Sequence, residues 1–317
     1  MAPSTTSTNT NTTTGNNKQV WLITGCKYTR YSPIRRKGTT ALTLYPSTGS
    51  TGFGHHLTVS ALSRGYHVIA TSRNPSNLKE LSQLGAETLA LDPSWPLEDL
   101  RTTIDSALSR HGRIDVLINN AAFVLQGALE ELTPADDLAA FTVNVFGPMN
   151  MMRCVLPYMR KQRSGTIINI GSLAGWEGTA GLAEYNGTKF ALAGVTESVA
   201  LETKDFGIRV VCVEPGYFRT SLLEGKGAYR RAGGREMPEY AAARETNDRL
   251  GMTNGKQPGD PVKGAETIVR FIETEGELPM RWVMGRDVRE AVEKKWEEHH
   301  ATFEKWKAIT DATAFDE

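Results

Sequence analysis

Tyr185 and Lys189 stand four positions apart in YNGTK, a spacing that puts two side chains on one face of a helix. A phenol titrating near pH 10 is a poor base at neutrality, and an ammonium beside it favours the phenolate. Such a pair can exchange a proton with a reacting oxygen, although a tyrosine and a lysine on one helical face more often belong to a solvated surface. Thirteen residues upstream, Ser172 ends the run TIINIGS, where a hydroxyl can polarise a substrate carbonyl. Further upstream lie NNAA, from Asn119 to Ala122, and Asn144 in FTVNVFG.

Side chains so far apart in the chain need a scaffold to assemble them. Short apolar runs at Val20–Thr24, His67–Thr71, Glu87–Leu91, Ile114–Asn119, Thr166–Ile170 and Arg209–Val213 predict strands. Several, such as IDVLIN and RVVCV, are continuous rather than alternating, which suits strands covered on both faces. Between them, Leu57–Ser63, Asn77–Leu84, Leu97–Arg110, Pro134–Arg160 and Glu184–Lys204 carry helical patterns. Repeated strand, crossover helix and strand give an α/β fold, a single doubly wound parallel sheet with helices on both faces. After Pro215 the chain is less regular, weakly helical over Pro238–Leu250. It ends with a helix at Pro261–Glu273, a strand at Arg281–Met284 and a charged helix at Val288–Trp306.

A dinucleotide site needs glycines after the first strand, so that the backbone can approach a pyrophosphate at a helix N-terminus. Here VWLITGC is followed by 23 residues, Lys27 to Gly49, with five Lys or Arg and no acid, and then by STGFGHHL. Setting the block aside joins the string TGCSTGFG, with Gly25, Gly52, Phe53 and Gly54 in the turn. Three readings stand: a translated intron, since 23 codons keep the frame; a surface flap that leaves both halves of the turn in place; or a turn made by TGSTGFG, Thr48 to Gly54. At the end of the second strand, ATSRNP offers Ser72 and Arg73 where an NAD site usually carries a carboxylate. A 2′-phosphate would meet a donor there, which favours NADP(H) and leaves NAD(H) open.

The joined turn, NNAA, IGSLAG, YNGTKFAL and VEPGYFRT follow one another in the order and spacing of the short-chain dehydrogenase/reductase family, over roughly Val20 to Thr220. GKQPGDPVKGAETIV and LPMRWVMGRD extend the likeness to fungal and bacterial oxidoreductases of that family. The resemblance implies a tetrad in which Tyr185 exchanges the proton, Ser172 holds the substrate oxygen, Lys189 tunes Tyr185 and binds the nicotinamide ribose, and Asn144 anchors a water. It implies cofactor contacts at Asp92, Asn119, Ala121, Pro215, Gly216 and Thr220, and a homodimer. Ala122 departs from the glycine that the family most often has there.

The activity expected is reduction of a ketone or aldehyde, or oxidation of a secondary alcohol. A nucleotide-sensing or catalytically impaired protein on the same fold is the alternative; a sugar-nucleotide epimerase would want a larger C-terminal domain. Residues 1–17 read as a disordered Ser/Thr/Asn tail and residues 18–317 as one domain, with a substrate lid over 219–260 and a helix over 287–309. Phe218, Leu222, Leu223, Tyr229 and Met252 are candidates to line an apolar pocket. Lys plus Arg equals Asp plus Glu at 36 each, so no basic excess points to nucleic acid. Three cysteines without a CxxC pair, and histidines without ligand spacing, predict neither a disulfide framework nor a metal. No long apolar run points to a membrane, and a cytoplasmic location follows by default.

Overall fold

The computed structural model describes residues 18–26, 52–224, 229–231 and 235–315. The expected N-terminal tail and the block from Lys27 to Gly49 lie outside the described residues. Seven parallel strands form the sheet: β1 (Val20–Ile23), β2 (His67–Ser72), β3 (Glu87–Ala90), β4 (Val116–Asn119), β6 (Gly165–Ile170), β7 (Ile208–Pro215) and β9 (Arg281–Met284), in the order β3-β2-β1-β4-β6-β7-β9. Two further short strands, β5 (Val124–Gln126) and β8 (Tyr229–Arg231), pair with each other in parallel outside the sheet. The helices are α1 (Phe53–Ser63), α2 (Lys79–Gln83), α3 (Leu97–His111), α4 (Pro134–Phe141), α5 (Gly147–Gln162), α6 (Ala183–Thr203), α7 (Ala241–Thr253), α8 (Pro261–Glu273) and α9 (Arg286–Asp311).

The continuous apolar strands have the cause expected of them. Successive side chains of a strand point to opposite faces, and both faces of this sheet are covered. Trp21 and Ile23 pack with Leu57, Ala265 and Ile268 on one side, while Val20 and Leu22 pack with Leu100, Ile104, Met151 and Val155 on the other. Each such side chain contributes about 1.5–3 kcal/mol by leaving water.

Two expectations change in detail. The helix read as continuous from Pro134 to Arg160 is interrupted by a π-helical turn over Thr142–Phe146, and α5 begins at Gly147-Pro148. Pro148 has no N–H to donate into the preceding turn, so the regular ladder cannot run through it. Neither β5 nor β8 was expected, because three-residue strands carry too little pattern to detect.

The two halves of the glycine turn meet. Gly25 has φ +68°, a conformation that favours glycine. A Cβ on Gly54 would lie 2.7 Å from Asn120 Nδ2 and 2.8 Å from the Gly25 carbonyl oxygen. Asn120 Nδ2 donates to the carbonyls of Thr24 and Gly25 at 3.0 and 3.2 Å, and the Thr58 hydroxyl donates to Gly54 O at 2.8 Å. The start of α1 is thereby seated on the end of β1. Gly54→Ala should lower stability by about 1–3 kcal/mol through overpacking, even though alanine is the better helix former; thermal unfolding measures it, and an unchanged or raised Tm would contradict this packing.

Candidate active site

In an open parallel sheet the loops leaving the carboxyl ends diverge where the strand order reverses, and a crevice forms between them. Here the reversal falls between β1 and β4, and the loops after β1, β2, β3, β4, β6 and β7 enclose a cleft of about 300 Å³. Of the residues singled out in the sequence, Gly25, Gly52, Phe53, Arg73, Asp92, Ala121, Ser172, Tyr185, Lys189, Pro215, Gly216 and Thr220 line it. Asn120 and Ala122 line it as well. Gly52 caps α1 with nothing within 4 Å of where a Cβ would stand and no acid in the first turn. Arg73 is largely exposed, and its Nε lies 3.9 Å from Asp92 Oδ2.

Three of the expected residues stand elsewhere. Gly54 sits behind the turn, where its role is close packing. Asn119 turns its carboxamide away from the cleft to its cross-strand neighbour, Nδ2 donating to Asn169 Oδ1 at 2.8 Å, because alternate residues at the strand end face opposite sides. Asn144, on the π-helical turn, is 1% exposed. Its Oδ1 accepts from Phe123 N at 3.0 Å, and its Nδ2 donates to Phe123 O and Thr188 Oγ1 at 2.9 and 3.2 Å. The side chain thereby ties the start of β5 to α6.

The remaining three converge. Ser172 leaves β6 with its Oγ accepting from Ala174 N at 3.1 Å, and it lines the cleft together with Tyr185. Lys189, one turn along α6 from Tyr185, is 2% exposed. Its Nζ donates to Ile170 O at 2.7 Å and lies 5.7 Å from the centre of the Tyr185 ring. Burial pushes Tyr185 up to about 12, against a smaller downward pull from Ser172. The phenol therefore stays protonated near neutrality. Burial also brings Lys189 down to about 8, opposed by Cys212 and Glu214.

Beneath these groups lies a buried ion pair that the sequence analysis missed. Glu214, fully buried near the end of β7, receives Arg281 Nη2 from β9 at 2.5 Å and Trp176 Nε1 at 2.9 Å. The guanidinium stacks 3.8 Å from the Trp176 ring and donates to Gly175 O at 3.1 Å. The one available signal was a glutamate inside an otherwise apolar run, VVCVEP. Asp287, in the first turn of α9, was missed too; its carboxylate lies against Gly216 and accepts from Tyr217 N at 2.6 Å, holding the loop after β7. Off Ser172 and Tyr185 opens a second hollow of about 100 Å³, walled by Leu173, Leu182, Leu222, Leu223, Tyr229 and Leu250. Phe218 also lines it, whereas Met252 is exposed.

The family model for short chain dehydrogenases matches residues 47–230. The chain belongs to the short-chain dehydrogenase family. An oxidoreductase of Botryotinia fuckeliana is 33% identical over 272 residues, covering 84% of this short-chain dehydrogenase and 97% of that protein. The crystal structure of a short-chain dehydrogenase from Streptomyces avermitilis superposes with a TM-score of 0.79 at 33% identity, over 95% of this chain and 100% of that one. A metagenomic short-chain oxidoreductase solved in complex with NADP aligns at 25% identity and a TM-score of 0.58, over 84% and 95% of the two chains. The protein is accordingly an oxidoreductase. Among the described residues, no helix is long and apolar enough to cross a membrane.

Burial raises the Glu214 carboxyl above its ordinary range, and Arg281 is the chief opposing influence. Arg281→Met should therefore cost about 3–5 kcal/mol in denaturant unfolding near neutral pH, since it strands a buried charge. A carboxyl whose folded-state pKa is raised stabilises the fold when protonated, so the deficit should shrink as pH falls through that pKa. A pH-independent deficit would contradict the assignment.

Proposed function

We propose that this short-chain dehydrogenase interconverts a carbonyl and a secondary alcohol with NADP(H), using Tyr185 as the proton donor and acceptor. The observation that carries this reading is one cleft lined at one end by Ser72 and Arg73 and at the other by Ser172, Tyr185 and Lys189.

The residues present fit a dinucleotide. The open space at Gly52 and the acid-free start of α1 suit a pyrophosphate, which backbone N–H groups and the helix dipole both favour. Ser72 and Arg73 end β2 with donors, and a 2′-phosphate would find a cation there rather than a carboxylate. The NADP carried by the metagenomic relative supports the same choice. Pro215, Gly216 and Thr220 would border the nicotinamide end. When bound, the cofactor supplies the hydride; the protein supplies orientation and a proton.

With its pKa raised to about 12, Tyr185 stays protonated near neutrality and can give its proton to a carbonyl oxygen as negative charge develops there. Ser172 Oγ polarises the same oxygen. Lys189, anchored on Ile170 O, brings positive charge close to the phenol and favours the phenolate left behind. Asn144 acts at one remove: its bond to Thr188, whose hydroxyl donates to Tyr185 O at 2.8 Å, steadies the turn of α6 that carries the phenol.

Turnover of a ketone panel, followed by loss of NADPH absorbance, tests this reading. Tyr185→Phe should lower kcat by about 10²–10⁴-fold while NADPH still binds; comparable activity in that variant overturns the mechanism. Arg73→Asp should shift the ratio of kcat/KM for NADPH to that for NADH by at least about tenfold toward NADH, roughly 1.4 kcal/mol. An unchanged ratio would remove Arg73 from the 2′-phosphate site.

A further inference from the structure

The hollow that opens off Ser172 and Tyr185 is apolar over most of its wall, and Gln257 stands in its lining. Gln257 is 1% exposed, and its Oε1 is buried without a hydrogen-bond partner. The backbone around it is fixed. Arg219 donates to Gln257 O at 3.2 and 3.0 Å through Nε and Nη2, and Gly259 exchanges backbone hydrogen bonds of 2.9 Å with Tyr217 and Arg219. Another buried polar side chain of this wall, Tyr229, is already engaged, its OH donating to Gln126 Oε1 at 2.5 Å. Glu177 and Thr179, also in the lining, are partly exposed, where water competes for them.

A buried carbonyl oxygen without a donor carries its full desolvation cost, and a site built around such a group discriminates strongly for ligands that supply the missing hydrogen. Resting on the reading of the cleft given above, we propose that Gln257 is a specificity residue whose Oε1 accepts a hydrogen bond from a substrate hydroxyl. The substrate class is then apolar ketones or aldehydes that carry a hydroxyl group remote from the reacting carbonyl. The apolar walls take the carbon skeleton, Ser172 and Tyr185 take the carbonyl, and Gln257 reads the second oxygen.

The test uses the full chain with propiophenone and its ortho-, meta- and para-hydroxy and methoxy analogues, the methoxy group keeping the oxygen but removing the donor. NADPH oxidation gives kcat/KM, and calorimetry gives Kd without requiring turnover. At least one hydroxy isomer should exceed its methoxy twin by tenfold or more in both. Gln257→Met should bring that ratio to within threefold of unity, and Gln257→Asn, which withdraws the acceptor by one carbon, should reduce it. Ratios near unity at all three positions in the unmodified protein overturn the proposal, as does a ratio that survives both substitutions. Should either variant fail to fold, a crystal structure of the unmodified protein with the preferred isomer decides: hydroxyl on Gln257 Oε1 supports it, hydroxyl elsewhere overturns it. Absence of turnover on every ketone would sink the hydride-transfer reading, while the calorimetric preference would still report on Gln257.

Discussion

An ammonium group drawn into a protein interior must find an acceptor or lose its charge, and Lys189 finds one in the carbonyl of Ile170 at the last residue of β6. That bond ties the middle of α6 to the strand end from which Ser172 departs. Because Tyr185 lies one helical turn back on the same face, the same tie brings the phenol to the serine. The assembly of the candidate site is thus a consequence of where one cation is accommodated.

The surroundings of this cation are arranged to keep it there. Glu214 supplies negative charge from the next strand, and Arg281 and Trp176 in turn hold Glu214. Gly171 and Gly175 allow the approach, for a Cβ on Gly171 would fall 2.8 Å from Glu214 Cγ, and one on Gly175 would fall 3.2 Å from Lys189 O. On the opposite flank, Asn144 joins the first residues after β4 to α6 through Phe123 and Thr188. Strand ends and helix are therefore locked from two sides by polar groups whose partners are nearly all internal, the arrangement that makes a buried network rigid.

Much of this was legible in the residues. The sheet could be read because strands covered on both faces must be apolar throughout, and Tyr185, Lys189 and Ser172 could be read because helical spacing and a strand end fix their relative placement. What escaped has a common character. The β5 and β8 pair and the engagement of Asn144, Glu214 and Asp287 all depend on which distant group a residue meets, and no local period encodes that. Asn119 shows the limit most sharply: the motif NNAA points to the cleft, but the alternation of the strand gives the lining to Asn120 and leaves Asn119 to Asn169. The glycine turn is the reverse case. Gly25 and Gly54 come together across a long intervening segment, and neither leaves room for a side chain: a Cβ on Gly54 would fall against the Gly25 carbonyl and one on Gly25 against Ala121.

The hold of Asp287 on the loop after β7 carries a consequence for biogenesis. Tyr217 N meets a carboxylate 70 positions later in the chain, so during synthesis the end of the crevice beside Gly216 stays unfinished after all the other strand ends that border it have left the ribosome. The contact can form only once β9 and the first turn of α9 have been made. Docking of α9 is in that sense the last stitch of the cleft.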